Sequence, residues 1–402
     1  MRRRPELQLG FLYFLGSLVG FGRDLVLVRA VGLGGDSDAI FNYSLATTLF
    51  VSLAIQTVYL PLAFRSRTTS HRALGTATLI AMLLSPMIWS GPLLGHQRYA
   101  VEFSVWLIAS LMATALVASR WRDAYAAGRT LAIGSSQLFG SAIPLLVGLV
   151  EANIRVLVPA VLLSWPIGTL VGTIRVPRMR SEPRYRGADS SLHLMPSLFM
   201  PLSGPLLAIG SSSLGPGVYT AFSLAGKIAN VPIGLLSHAL GTTAFIEGVS
   251  DHVGKPRRYM FGERPMRLRV RVGALVVWTS VSWGLCVAVS STIGAVGDFR
   301  ELDLEFALIL FPSLLMAPVA VSAAAMRDHL LADQRFRLVG RSNVAFLVFF
   351  GGVVAIGVIV ASPYVVALAP ACAFAAQQRI LRQPFPGSSR ECAPDPDLTH
   401  RS

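Results

Sequence analysis

Apolar runs long enough to cross a bilayer recur along the whole chain, and they leave few folds open. A helix needs roughly 20 apolar residues to span the hydrocarbon core. With no water there to satisfy backbone amides, only helices or closed barrels span it. The alternating segments of about ten residues that would mark a barrel are missing. The runs predict helices at 7–31, 38–63, 73–93, 101–119, 130–150, 156–174, 192–211, 217–246, 270–296, 304–326, 342–362 and 364–381. Hydrophobic residues make up 53% and charged residues 14% of 402, against about 25% charged in soluble domains. So little charge cannot cover a water-facing surface. The expected fold class is all-α, a polytopic membrane protein of about twelve transmembrane helices in two six-helix lobes.

A net charge of +14 raises the question of nucleic acid, and the placement of the charge answers it. With the amino terminus inside, twenty-nine of the 35 basic residues fall in cytoplasmic segments. Only Arg98, Arg155 and Arg300 fall outside, and Arg23, Arg29 and Lys227 lie within helices. Such asymmetry across alternating loops is the positive-inside pattern. The basic balance therefore reports topology, with both termini cytoplasmic and anionic lipid of the inner leaflet as a partner.

The connection 175–191 divides the chain into an N-terminal six-helix lobe (1–174), a basic cytoplasmic linker (175–191) and a C-terminal six-helix lobe (192–382). A Pro-rich tail, 383–402, reads as disordered and cytoplasmic. The first apolar stretch is too long and lacks a cleavage site, so no cleavable signal peptide is expected. Cys286, Cys372 and Cys392 supply no disulfide framework. A short echo links the lobes. Tyr43-Ser44-Leu45-Ala46 opens the second helix of the first lobe, and Phe222-Ser223-Leu224-Ala225 opens the second helix of the other, 179 residues later. This fits a parallel repeat about an axis along the membrane normal.

Charges inside helices are costly, roughly 2.5–3.5 kcal/mol at mid-membrane on insertion scales. Arg23, Asp24 and Lys227 therefore need water or partners. Arg23 and Asp24 either form a structural pair satisfied by neighbouring helices or face a cavity, and Gly16 and Gly20 allow close backbone approach nearby. Arg29 points elsewhere and is expected to snorkel to headgroups. At 100° per residue, Ser223, Asn230, Gly234, His238 and Gly241 fall within about 60° of Lys227. Over about 21 Å, that stripe reads as a cavity wall or as a helix-packing face with small spacers. Asp38 shares a weaker polar face with Asn42, Ser52 and Gln56, or serves as a helix cap. Pro196, Pro201, Gly204 and Pro205 interrupt the seventh helix, Pro232 the eighth, and Pro312 and Pro318 the tenth. Each is a hinge or a static bend.

Two stretches resemble a known family. GFGRDLVLVRAVGLGGDSDAIF (20–41) is similar to the first-helix signature of the lipid II flippase (MurJ/MviN) family, part of the multidrug/oligosaccharidyl-lipid/polysaccharide flippase superfamily. GPGVYTAFSLAGKIANVPIGLLSHALGTTAF (215–245) is similar to that family's eighth helix. The resemblance implies alternating access of two lobes around a cationic cavity in the bacterial cytoplasmic (inner) membrane. It implies a lipid-linked saccharide diphosphate as cargo, a place in peptidoglycan biosynthesis, and cell-envelope synthesis proteins as further partners. Carried over, Arg23 and Lys227 match cationic cavity positions, with Lys227 where the family usually has arginine, and Asp38 matches a family aspartate. On this reading Arg23, Lys227, Asp38, Asn230 and His238 bind substrate. Arg29, Asp24, Gly20, Pro201, Pro205 and Pro232 are structural or gating. The sequence departs from the family pattern at Ser17 and Val51, where arginines are usual, at Gln56, where glutamate is usual, and in lacking two C-terminal helices.

Two other classes compete. A cation-coupled exporter of the same superfamily would favour intramembrane carboxylates, and only Asp24 is well placed. A membrane glycan-processing enzyme would need acid and base groups converging in a substantial loop. Glu151, Asp298, Glu301 and Asp303 read instead as solvated ends, so no enzymatic activity, cofactor or metal is expected. The topology predicts that cysteines placed at Gly35, Leu214 and Gly297 react with an impermeant thiol reagent in intact cells. Cysteines at Arg186 and Arg258 should react only after permeabilisation. The reverse pattern contradicts this topology.

Overall fold

The computed structural model describes residues 5–32, 34–51, 55, 59, 75, 100–151, 153–177, 200–233, 268–297, 303–332 and 336–382. Among them there are helices and no strand. In the first half these are α1 (Pro5–Val31), α2 (Gly35–Leu49), α3 (Ala100–Ala126), α4 (Thr130–Val150), α5 (Ile154–Leu162) and α6 (Ser164–Gly172). A 3-10 turn at Met200–Leu202 leads into the second half, which holds α7 (Ser203–Ser212), α8 (Val218–Ile233) and α9 (Leu268–Gly297). It continues with α10 (Asp303–Leu315), α11 (Ala317–Ala332), α12 (Phe336–Ile359), α13 (Pro363–Ala367) and α14 (Ala369–Leu381). Six described helices or helix pairs are long and apolar enough to cross a membrane, and α5 with α6, bent more sharply, forms a seventh span. The chain is a polytopic all-α membrane protein, as its apolar runs require. The predicted helix at 73–93 apart from Gly75, His238, Gln56 and the 383–402 tail lie outside the described residues.

Small residues set the packing of the first half. A Cβ added at Gly134 would lie 2.8 Å from Leu12, one at Gly16 3.2 Å from Gln137, one at Gly20 3.3 Å from Ser141, and one at Gly148 2.8 Å from Val26. The paired numbers rise together, so α1 and α4 run parallel with backbones drawn close. Gly20 thus faces α4 within its own half. On α6, Gly168 packs against the backbone of Ser136 and Gly140. These pairings sort the helix ends onto two faces. One, the rim face, carries Val31, Asp38, Val150 and Leu214. The opposite, basic face carries Arg120, Arg122, Arg129, Arg175, Arg337, Arg341 and Arg379.

Three spans predicted as single helices are divided, 156–174, 304–326 and, between α13 and α14, 364–381, and proline explains the first two breaks. The predicted helix 156–174 bends by 50° between α5 and α6. Pro166 has no N–H to give the Leu162 carbonyl, and Ser110 Oγ donates to that carbonyl instead. The predicted helix 304–326 is divided at Met316 into α10 and α11. Pro318 cannot serve the Leu314 carbonyl, and Trp278 Nε1 donates to Leu314 O at 3.1 Å and to Leu315 O at 3.3 Å. Each break therefore keeps its freed backbone acceptor satisfied within the membrane. At the entry to α7, Pro201 lies in the 3-10 turn and Pro205 is the third residue of the helix, where no intrahelical donor is needed.

The packing yields a stability prediction. A Cβ at Gly168 would meet the Ser136 carbonyl and the Gly140 amide and Cα, all closer than 3.0 Å and all backbone. Gly168→Ala should destabilise the fold by about 1–3 kcal/mol, seen as a lower unfolding temperature in detergent. Gly352→Ala, with nothing within 4 Å, should be neutral or stabilising through helix propensity. Equal effects at the two positions would contradict the packing.

Candidate functional site at the seam between the halves

The two halves meet along α1 and α2 on one side and α7, α8 and α9 on the other. One apolar cluster spans the seam. It joins Val28 and Phe41 of the first half to Phe222, Leu224, Cys286, Leu310 and Phe346 of the second. Two polar groups are set into this seam at different depths.

The deeper group centres on Asp24, whose side chain is 1% exposed. Arg23 Nε donates to Asp24 Oδ1 at 2.8 Å, and Arg23 Nη2 lies 2.7 Å from the same oxygen. Lys227 Nζ donates to Asp24 Oδ2 from the other half. The ammonium also lies over the Phe41 ring, 4.9 Å from its centroid. Depth follows from helix geometry. Asp24 is seven residues from the end of α1 and Lys227 nine from the start of α8, or about 11 and 14 Å from the rim at 1.5 Å per residue. Both therefore sit near mid-membrane. Two cations share one carboxylate, so the group keeps one excess positive charge. The Lys227 side chain is 32% exposed while Asp24 is sealed, so the open part of the group is its cationic part.

The shallower group is at the rim. α8 begins after Gly217, whose φ of 83° suits a residue without Cβ. Glycine brings no side chain to cap the amides of the first turn. Asp38 of α2 supplies the cap from the other half. Its Oδ2 accepts from Gly217 N at 2.8 Å, and its Oδ1 accepts from Thr220 N at 2.8 Å and Thr220 Oγ1 at 2.6 Å. Thr220 and Ser37 hydroxyls lie 3.0 Å apart. The start of α2 is served by Ser37, which accepts from Gly34 N at 3.1 Å and donates to Gly34 O at 2.8 Å. Asp38 is thus a capping residue of the opposite lobe's helix rather than its own. It also lies about 15 Å along α8 from Lys227.

The structure brings Arg23, Asp24 and Lys227 together and places Asp38 apart from them. Arg29 is exposed near the rim end of α1. Asn230 and Pro232 continue α8 beyond Lys227. Ser17 is partly buried, and Val51, where the resembling family usually has arginine, is buried at 6% exposure. Sequence reasoning missed Gly217, Thr220 and Phe41. The repeat held a signal for the first, because an offset of 179 residues pairs Asp38 with Gly217 and the two are hydrogen-bonded.

No family model and no curated protein matches the chain. Among solved structures it is similar to the lipid II flippase MurJ in an inward closed conformation, with a TM-score of 0.63 at 14% identity over 93% of this chain and 86% of that one. It is also similar to the Vibrio cholerae MATE transporter VcmN, with a TM-score of 0.59 at 15% identity over 94% of each chain. A MATE protein in complex with MaL6 gives 0.59 at 12% identity, again over 94% of each chain. At these identities the likeness establishes a shared fold, that of polytopic membrane transporters.

The rim cap is testable. Losing an N-cap costs about 0.5–2 kcal/mol, enough to move a two-state equilibrium up to ~30-fold. Asp38→Ala should therefore open the rim side of the seam. A cysteine at Phe41, 3% exposed, should react several-fold faster with a rim-side thiol reagent in that background. An unchanged rate would show that the cap does not hold the seam.

Proposed function

We propose that this protein is a flippase that moves a lipid-linked saccharide bearing an anionic diphosphate across the membrane by alternating access of its two halves. The observation that carries the proposal is the Arg23–Asp24–Lys227 group, a net cationic site at mid-depth on the seam. A diphosphate offers charge-assisted hydrogen bonds to both cations. It competes with Asp24 for Lys227, so binding it weakens the ion pair that ties α1 to α8. Cargo would thus have a different affinity for the joined and parted states, which is what a ligand-driven conformational change requires. The likeness to MurJ, a lipid II flippase, supports the cargo class. The absence of cationic side chains at Ser17 and Val51 points to a smaller or differently charged lipid-linked glycan. By the positive-inside rule the basic face is cytoplasmic, which makes the described state closed towards the outside.

A second reading rests on the same carboxylate. MATE transporters share the fold, and a buried Asp24 on the seam could be the coupling site of a cation-driven exporter. Its existing partners weigh against this, since Arg23 and Lys227 already neutralise the charge that a coupling cation would meet.

Reconstituted vesicles with defined lipid-linked sugars separate the readings. Wild type should translocate an undecaprenyl-diphosphate-linked sugar. Lys227→Met keeps much of the length and removes the charge, and should slow translocation about tenfold or more. Lys227→Arg should retain most of the rate. Folded Lys227→Met moving cargo at the normal rate contradicts the diphosphate role. Gradient-driven export of organic cations without saccharide translocation favours the second reading.

A further inference from the structure

Away from the seam, a cavity of about 480 Å³ opens at the basic end of the first half. It is lined by Leu116, Val117, Ser119, Arg120, Arg122, Asp123 and Leu170. We propose that it is a binding site for a phospholipid with a net negative headgroup.

The apolar half of the site faces lipid. On α3, Val105, Ile108, Met112 and Leu116 recur at helical spacing and are 62%, 48%, 64% and 79% exposed. In a membrane span, such a stripe of large apolar side chains lies against acyl chains. Leu170, Val171 and Ile174 at the end of α6 are exposed in the same way. The cavity opens between these two apolar edges, at Leu116 and Leu170.

The polar half follows directly along the stripe. Arg120 stands one helical turn beyond Leu116, about 6 Å along the axis, the offset between the start of an acyl chain and its phosphate. One Arg120 nitrogen, Nη1, reaches the Val176 carbonyl at 3.3 Å and fixes the guanidinium between α3 and the end of α6. Arg122 places Nε and Nη2 on Asp123 Oδ1 at 3.1 and 2.7 Å. The acidic group is thereby neutralised, and the cavity is left with the charge of Arg120. Ser119 adds a hydroxyl. A planar guanidinium beside a hydroxyl suits a phosphate diester, and basic pockets between helices at this membrane level are where anionic headgroups are held.

The site is independent of which cargo the seam carries. It is tested with purified full-length protein in detergent given equal amounts of phosphatidylglycerol and phosphatidylcholine, with bound lipid read by native mass spectrometry. Wild type should retain phosphatidylglycerol about five-fold over phosphatidylcholine. Arg120→Gln should bring retention close to parity, whereas Arg341→Gln, an exposed arginine of the basic face in the other half, should leave it unchanged. Leu116→Trp leaves every charge in place and should lower retention of both lipids by crowding the chain groove. Should Arg120→Gln fail to fold, the Leu116→Trp variant still decides. Equal retention of the two lipids by wild type overturns the proposal, as does retention unaffected by either variant. Displacement of the lipid by soluble glycerol phosphate at equal concentration also overturns it, because the site would then take a free anion.

Discussion

A carboxylate buried in the membrane needs partners, and Asp24 finds one in each half of the protein. Arg23 beside it and Lys227 opposite it hold the two carboxylate oxygens. Removing one partner from a buried ion pair typically costs about 3–5 kcal/mol, because the other is left uncompensated. On the proposed function the same contact is reversible, since a ligand offering a better acceptor to Lys227 changes its terms. The helices around it are arranged to keep this group at mid-depth. Gly16 and Gly20 bring α1 close to α4, and Phe41 roofs the ammonium on the rim side.

The rim contact works by a different force. Asp38 meets the positive end of the α8 dipole and its unpaired amides. Position 217, its counterpart in the repeat, is glycine. A second carboxylate there would repel the first and would leave no room for the capping geometry. The internal symmetry is thus broken at the point where the two repeats touch. The rim and the deep group form two polar layers with an apolar layer between them, and each layer crosses from one half to the other. On the proposed function, alternating access must break such layers together, and contacts of a few kcal/mol are well matched to that task.

Much of the fold was legible because a bilayer allows so few solutions. Run length and the placement of arginine set the helices. The deep site was legible through cost, because Arg23, Asp24 and Lys227 are the charges that lipid penalises most. What stayed hidden was pairing. Hydrogen bonds between residues 179 to 203 apart leave no local trace, so Asp38 read as a substrate-binding residue or as a cap for its own helix when it caps another. Breaks at Leu163 and Met316 were equally opaque. Pro318 marked the second as possible and nothing marked the first, and the compensating donors, Ser110 and Trp278, come from other helices.

Asp24, at mid-depth, keeps the two halves together and so keeps the rim side closed. Spin labels on cysteines at Arg29 and Ser213, both exposed on that side and in different halves, report the separation directly by pulsed electron resonance. The protein with Asp24 intact should give one short distance. Asp24→Asn leaves Arg23 and Lys227 facing each other without their counter-ion, and should add a longer-distance population. An unchanged distribution in a folded Asp24→Asn protein would contradict the account.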